Sequence, residues 1–192
     1  MLAAGFSRRF GKPKLLARIG GTSLLAATLR ILAPLARDPV IVVVPPRSCR
    51  LRAALRGFAV RFVENPQRAA GLSSSVRCGL RRARYSAAVL LLPADLVELE
   101  RRDVARLIAR WAGARRRVVA RRLGTHGAAP LILPHRLIPD ALGISGDTGL
   151  REFIRRLPAE ALALVHMPSA ALDVDTPREL ALARSKRGVM LL

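Results

Sequence analysis

The chain is 192 residues long, 51% hydrophobic and 24% charged, with a formal net charge of +21. That length suits one domain, 1–192, with a sizeable core, and that hydrophobic content excludes a disordered chain. The longest apolar runs, Val40 to Val44 and Ala87 to Leu92, are far too short to span a bilayer as a helix.

Strand and helix patterns alternate along the chain. Only Met1 and Leu2 precede a small-residue turn at Ala3-Ala4-Gly5. A buried parallel strand needs about five residues. Either a fragment forms the first strand or the natural start lies several residues upstream, and the second is the expectation. Ser23 to Ala33 carries apolar residues at helical spacing, ended by Pro34. Val40 to Val44 is a continuous β-branched run closed by Pro45-Pro46, a buried strand. Cys49 to Leu55 reads as a short helix and Val60 to Val63 as a strand. Ser73 to Arg84 reads as a helix capped by serine. Ala88 to Leu92 is the most apolar strand, and Arg102 to Ala112 an amphipathic helix. Val118 to Arg121 and Pro130 to Leu133 read as strands, and Glu152 to Leu157 as a helix. Ala163 to His166 is the last strand, and Pro177 to Ser185 the last helix, with proline in its first turn. This alternation predicts an α/β, Rossmann-like three-layer α/β/α sandwich with a mostly parallel sheet, its first strand truncated.

Five segments carry chemistry. In the first, Leu2 to Leu16, a small-residue turn precedes Arg8, Arg9, Lys12 and Lys14. Gly5 lets the backbone approach a ligand closely. Turn N–H groups can cradle an anion, and Arg9 and Lys14 can neutralise it. This is a triphosphate-binding design, but it lacks the glycines and Lys-Ser/Thr ending of a P-loop. The second runs from Asn65-Pro66 to Gly71-Leu72-Ser73-Ser74-Ser75-Val76. Its hydroxyls and N–H groups can read a nucleobase edge; the plainer reading is a serine-capped helix. The third is Leu92-Pro93-Ala94-Asp95. A carboxylate past the carboxyl end of a parallel strand lies where α/β proteins bind ligands, and it suits Mg²⁺. Glu98 and Glu100 read as helix-start charges. The fourth is Asp173-Val174-Asp175-Thr176-Pro177-Arg178-Glu179, whose alternate carboxylates could face one metal. The fifth joins Gly127-Ala128-Ala129-Pro130 with the polar turn Gly146-Asp147-Thr148-Gly149.

The spacing Leu2-Ala3-Ala4-Gly5-x-Ser7-x-Arg9-x-Gly11-x-x-Lys14 resembles the signature of nucleotidyltransferases related to molybdenum cofactor cytidylyltransferase. The later segments match in family order, up to Leu180. The resemblance implies that Leu2, Ala3, Ala4, Gly5 and Ser7 bind nucleotide, and that Asn65, Gly71, Ser73 and Ser75 line the base pocket. It implies catalytic roles for Arg9, Lys14 and Asp95, with Mg²⁺ on Asp95 and Asp175. Gly127, Pro130, Gly146 and Asp147 would face the acceptor. Ala4, where the guanylyltransferase branch shows a second glycine, points to the cytidylyl branch. The family usually has proline soon after the first aspartate; here Leu96-Val97-Glu98 follows Asp95, which leaves the shape of that loop open.

The implied reaction transfers CMP from CTP to the phosphate of molybdopterin cofactor and releases pyrophosphate. The implied partners are CTP, molybdopterin cofactor and a molybdenum hydroxylase apoenzyme. The alternatives are guanylyl transfer to the same cofactor, cytidylyl transfer to a sugar-alcohol phosphate, or a non-catalytic cofactor-delivery protein. The net charge invites nucleic acid, but aromatic residues total 4% and offer few stacking platforms. A basic surface instead speeds encounter with a polyanionic nucleotide. Cys49 and Cys78 form no CxxC pair, and no secretory pattern is read, so the expected compartment is the cytoplasm.

Overall fold

The computed structural model describes residues 1–170 and 174–189. Its strands are β1 (Arg18–Ile19), β2 (Thr22–Ser23), β3 (Val40–Val44), β4 (Val60–Glu64), β5 (Ala88–Leu91), β6 (Val118–Leu123), β7 (His126–Pro134) and β8 (Leu162–Val165). Its helices are α1 (Leu24–Leu32), α2 (Cys49–Ala53), α3 (Leu72–Arg82), α4 (Arg101–Ala112), α5 (Ile138–Leu142), α6 (Gly149–Arg155) and α7 (Pro177–Val189).

β3 pairs in parallel with β4, and a second sheet runs β5-β7-β6-β8. The first three residues join the two. Leu2 forms parallel bridges to Val43 and Pro93. Leu2 N donates to Leu92 O at 2.8 Å and Ala3 N to Val43 O at 2.8 Å, while Val43 N and Ala94 N donate back to Met1 O and Leu2 O. This short strand therefore pairs on both sides, though only beside the carboxyl halves of its neighbours. Beside their amino halves lies an apolar hollow of about 280 Å³ lined by Ile41 and Leu90 among others. The Met1 amine donates to Ile41 O at 2.8 Å, and burial lowers its pKa to about 5.

The sheet is mixed. β7 is antiparallel to both β5 and β6, whereas β6 and β8 are parallel. The β7 strand also begins four residues earlier than its apolar run suggested, because it closes a hairpin with β6 at Gly124-Thr125. The helix expected to end at Pro34 continues as a 3-10 turn over Ala33–Leu35, since proline is tolerated in a first turn. Ser23 caps α1 by accepting from Ala26 N at 3.2 Å.

Successive strand residues enter opposite cores. Met1, Ala3, Val42 and Val44 pack in one cluster with Leu24, Leu25, Val104 and Leu107 of α1 and α4. Leu2, Ala4 and Val43 pack in the other, with Val76 and Leu80 of α3, Ile138 of α5 and Ile154 of α6. Helices thus cover both faces, and each fully buried valine or leucine contributes about 1.5–3 kcal/mol. Both cysteines are free. Among the described residues no helix is long and apolar enough to cross a membrane.

Candidate active site

The short first strand and β5 run in the same direction, so their carboxyl ends open on one edge of the sheet. There the turn Ala4-Gly5 and the loop Pro93-Ala94-Asp95 lie side by side, tied by Ala94 N to Leu2 O at 3.1 Å. The Thr28 hydroxyl of α1 lies 3.1 Å from both Ala94 O and Leu24 O, fixing the loop from below. Asp175 arrives from the far end of the chain, because Val174 N donates to Asp95 O at 3.3 Å. A cleft of about 410 Å³ opens over these elements.

The two aspartates meet at one ammonium. Lys14 Nζ lies 2.6 Å from Asp95 Oδ2 and 2.9 Å from Asp175 Oδ1. Arg9 Nη2 reaches the other oxygen of Asp175 at 2.6 Å. Burial alone would lower the Lys14 pKa, but Asp95 and Asp175 together hold it above its ordinary value. Asp175 is itself fixed by a reciprocal cap on α7. Glu179 Oε2 accepts from Asp175 N at 2.7 Å and Thr176 N at 2.8 Å, and Thr176 Oγ1 accepts from Glu179 N at 3.3 Å. Those backbone donors hold the Glu179 carboxyl below its usual range. Asp173 lies outside the described residues.

Two converging carboxylates supply only oxygen donors, the chemistry a hard divalent cation such as Mg²⁺ takes. Among the described residues no cluster of three or more His, Cys, Asp or Glu forms. Two such carboxylates would supply two ligands to a divalent cation and leave the rest to substrate phosphates and water, as Mg²⁺ is commonly held.

Of the expected nucleotide residues, Leu2, Ala3, Ala4, Gly5 and Ser7 line the cleft, as do Gly71 and Ser75. Ser7 closes the turn on itself: its Oγ accepts from Lys14 N at 3.3 Å, and its backbone is left-handed at φ 54. Gly5 lines the cleft, and a Cβ on it would meet nothing within 4 Å. Gly5→Ala is expected to leave stability within about 0.5 kcal/mol and to weaken nucleotide binding roughly tenfold, about 1.4 kcal/mol. Melting curves and calorimetric titration measure the two separately.

Asn65 and Ser73 do not line the cleft. Asn65 is buried, and its amide donates to Ser74 Oγ at 2.8 Å and Ser75 Oγ at 2.9 Å while accepting from Gln67 N at 3.0 Å. It braces the serine run from behind. Ser73 is not the cap of α3; that position is Gly71. The Ser73 hydroxyl donates to Gly146 O at 2.5 Å. Ser75 is the serine that lines the cleft, and since its oxygen accepts from Asn65, its proton is left for a ligand.

Of the expected acceptor residues, Asp147 lines the cleft and accepts from Leu72 N at 2.9 Å. Gly146 stands behind it. Gly127 and Pro130 are buried in β7 away from the cleft; a Cβ on Gly127 would meet Ala120 Cβ and Ile154 Cγ2 at 3.0 Å. The smallness of Gly127 serves sheet packing. The structure adds two residues that the sequence reading passed over. The Phe6 ring contacts the Arg68 and Arg8 guanidiniums, 3.8 and 4.9 Å from its ring centre. All three line the cleft. Burial lowers the Arg68 pKa, and its Nε is buried without a partner.

Residues 1–161 match the MobA-like NTP transferase domain. Phosphoenolpyruvate guanylyltransferase of Rubrobacter xylanophilus is 30% identical over 183 residues, 89% of this chain and 84% of that protein. The bifunctional IPC transferase and DIPP synthase of the same organism is 40% identical over 87 residues, 42% of this chain. That match spans only 20% of the bifunctional protein. The crystal structure of Rv0371c from Mycobacterium tuberculosis superposes with a TM-score of 0.77 at 25% identity, covering 96% of this chain and 95% of that one. The chain therefore belongs to the MobA-like NTP transferase family and is a nucleotidyltransferase of that type.

Proposed function

We propose that this cleft transfers a cytidylyl group from CTP to the terminal phosphate of a molybdopterin-type acceptor, releasing pyrophosphate. The observation that carries the transfer is the convergence of Asp95 and Asp175 on Lys14 beneath the Ala3–Gly5 turn. An acceptor phosphate oxygen attacks the α-phosphorus, and the bond to the β-phosphate oxygen breaks. The acceptor is already ionised, so no protein nucleophile is needed. Catalysis then consists of positioning and charge stabilisation. Asp95 and Asp175 would hold Mg²⁺, which when bound polarises the phosphoryl oxygens. Arg9 and Lys14 neutralise charge growing on the leaving pyrophosphate. Ala3 N is spent on Val43 O, so the amides of Ala4 and Gly5 are the ones offered to the phosphates, and Ser75 offers its hydroxyl to the base.

The carboxylate pair favours catalysis over a role in cofactor delivery alone. Ala4 lines the cleft while packing against the core on the α3 side, and a residue larger than glycine there leaves less room for a larger base. A second reading, guanylyl transfer to a small phosphorylated acid, is favoured by the guanylyltransferase that aligns over most of both chains.

Pyrophosphate release separates them. The protein is incubated with Mg²⁺, each nucleoside triphosphate in turn, and either molybdopterin cofactor or phosphoenolpyruvate. CTP with molybdopterin is expected to react fastest, and Ala4→Gly to raise GTP use relative to CTP. Faster turnover of GTP by the wild type would overturn the cytidylyl assignment.

A further inference from the structure

We infer that Lys14 is a charge placeholder for the divalent cation: it holds Asp95 and Asp175 together until a metal–triphosphate complex arrives, then moves onto phosphate. The metal therefore enters with the nucleotide and not before it. This inference rests on the reading of the cleft as a nucleotidyl-transfer site.

The geometry is competitive. Each carboxylate places an oxygen within 3 Å of Lys14 Nζ, at 2.6 and 2.9 Å. A cation bridging the same two groups would take the position the ammonium now fills. The local charges also balance. Asp95 and Asp175 contribute two negative charges, and Lys14 and Arg9 contribute two positive ones. A bare dication meets no net attraction there, and the ammonium it displaces has nowhere favourable to go. The other charged groups lining the cleft are Arg8, Arg68 and Asp147, and Asp147 already accepts from Leu72 N.

A triphosphate changes both terms. It supplies the anionic oxygens that receive the displaced ammonium, and it carries the metal in with part of its charge neutralised. The movement needed is small. The Lys14 backbone is held by Ser7 Oγ and by the 3-10 turn Lys14–Leu16, so only the four-carbon stem must swing. The Lys14 side chain is 11% exposed, against 74% for Arg9. The buried cation is thus the one that blocks the site. By linkage, metal and triphosphate must strengthen each other's binding to equal degree.

The test uses Mn²⁺ alone as the probe, read by electron paramagnetic resonance without nucleotide. Lys14→Met is expected to bind Mn²⁺ at least tenfold more tightly than wild type, and Lys14→Met/Asp95→Asn to lose that gain. Lys14→Met binding no more tightly, while Asp95→Asn still abolishes a wild-type Mn²⁺ site, would overturn the placeholder and leave the site reading intact. Mn²⁺ binding indifferent to Asp95→Asn in every background, with or without triphosphate, would instead remove the site reading and the inference with it. A second measurement needs no substitution at the carboxylates. The chain holds three lysines, Lys12, Lys14 and Lys186, so ¹³Cε-lysine labelling gives three signals, with Lys14→Arg assigning the one of interest. That signal is expected to stay in place on adding Mg²⁺ and to shift on adding Mg²⁺ with a non-hydrolysable CTP analogue. A shift with Mg²⁺ alone, or none with the complex, overturns the inference.

Discussion

Asp95→Asn and Asp175→Asn are each expected to lower the rate of nucleotidyl transfer about a hundredfold or more while the chain still folds. An amide keeps the shape of the side chain and one acceptor oxygen but removes the charge that would hold a hard cation. Losing that electrostatic stabilisation of the transition state costs roughly 3 kcal/mol or more, and each 1.36 kcal/mol is tenfold in rate. The fold is less dependent on either charge. Lys14 keeps one carboxylate in each variant, and both aspartates are partly solvated, with side chains 20% and 29% exposed. A destabilisation of about 1–2 kcal/mol follows from weakening one charge-assisted contact at Asp95 or two, one of them to the exposed Arg9, at Asp175. Circular dichroism and melting confirm the fold, and pyrophosphate release measures the rate. Near-wild-type turnover in one variant would remove that residue from the metal site. Equal loss with unchanged Mn²⁺–nucleotide binding would point to positioning of the phosphates in its place.

What the sequence reveals follows from how local each signal is. Val40–Val44 is read to the residue because a β-branched run lies between Pro39 and Pro45, and proline cannot donate to a ladder. The antiparallel course of β7 is a pairing property. Its signal is the two residues Gly124-Thr125 between Leu123 and His126, a hairpin spacing blurred because Gly127-Ala128-Ala129 lacks strand-forming side chains. The α5 helix is five residues long and announces itself only by Pro139 near its start and Gly143 after its end. At the site, Asp95 can be placed from a strand end alone, whereas the turn at Ala3–Gly5 follows only two residues and is legible from its small residues and the basic side chains after it. The meeting of Asp95 with Asp175 spans 80 positions, and no local pattern encodes it; the family resemblance supplied it. Asn65 looked like a base reader because amides can read bases, but an amide can spend its groups only once, and Ser74, Ser75 and Gln67 use them. The Phe6–Arg68 contact joins two loops 62 residues apart and leaves no periodic trace.

Gly71→Ala is expected to destabilise the protein by about 3 kcal/mol and to open the cleft wall it supports. Gly71 has φ 89 and ψ −179, a conformation essentially reserved for glycine, and forcing it on another residue costs about 1–3 kcal/mol. Space adds a second term. A Cβ there would lie 2.6 Å from Asp147 Oδ1, 2.7 Å from Gly146 C and 2.8 Å from Asp147 N, and such overpacking costs about 1–3 kcal/mol. At this chain length each kcal/mol lowers the melting temperature by roughly 2–4 °C, so a fall of about 10 °C is expected. The loop that must retreat is the one whose Gly146 O accepts from Ser73 and whose Asp147 accepts from Leu72 N. Asp147 lines the cleft, so nucleotide or acceptor affinity should fall with stability. Two of the three close contacts are with backbone atoms. Gly71→Ala/Asp147→Ala is therefore expected to recover little of the lost melting temperature. Full recovery in the double variant would show that the carboxylate alone, and not the approach of two backbones, fixes glycine at this position.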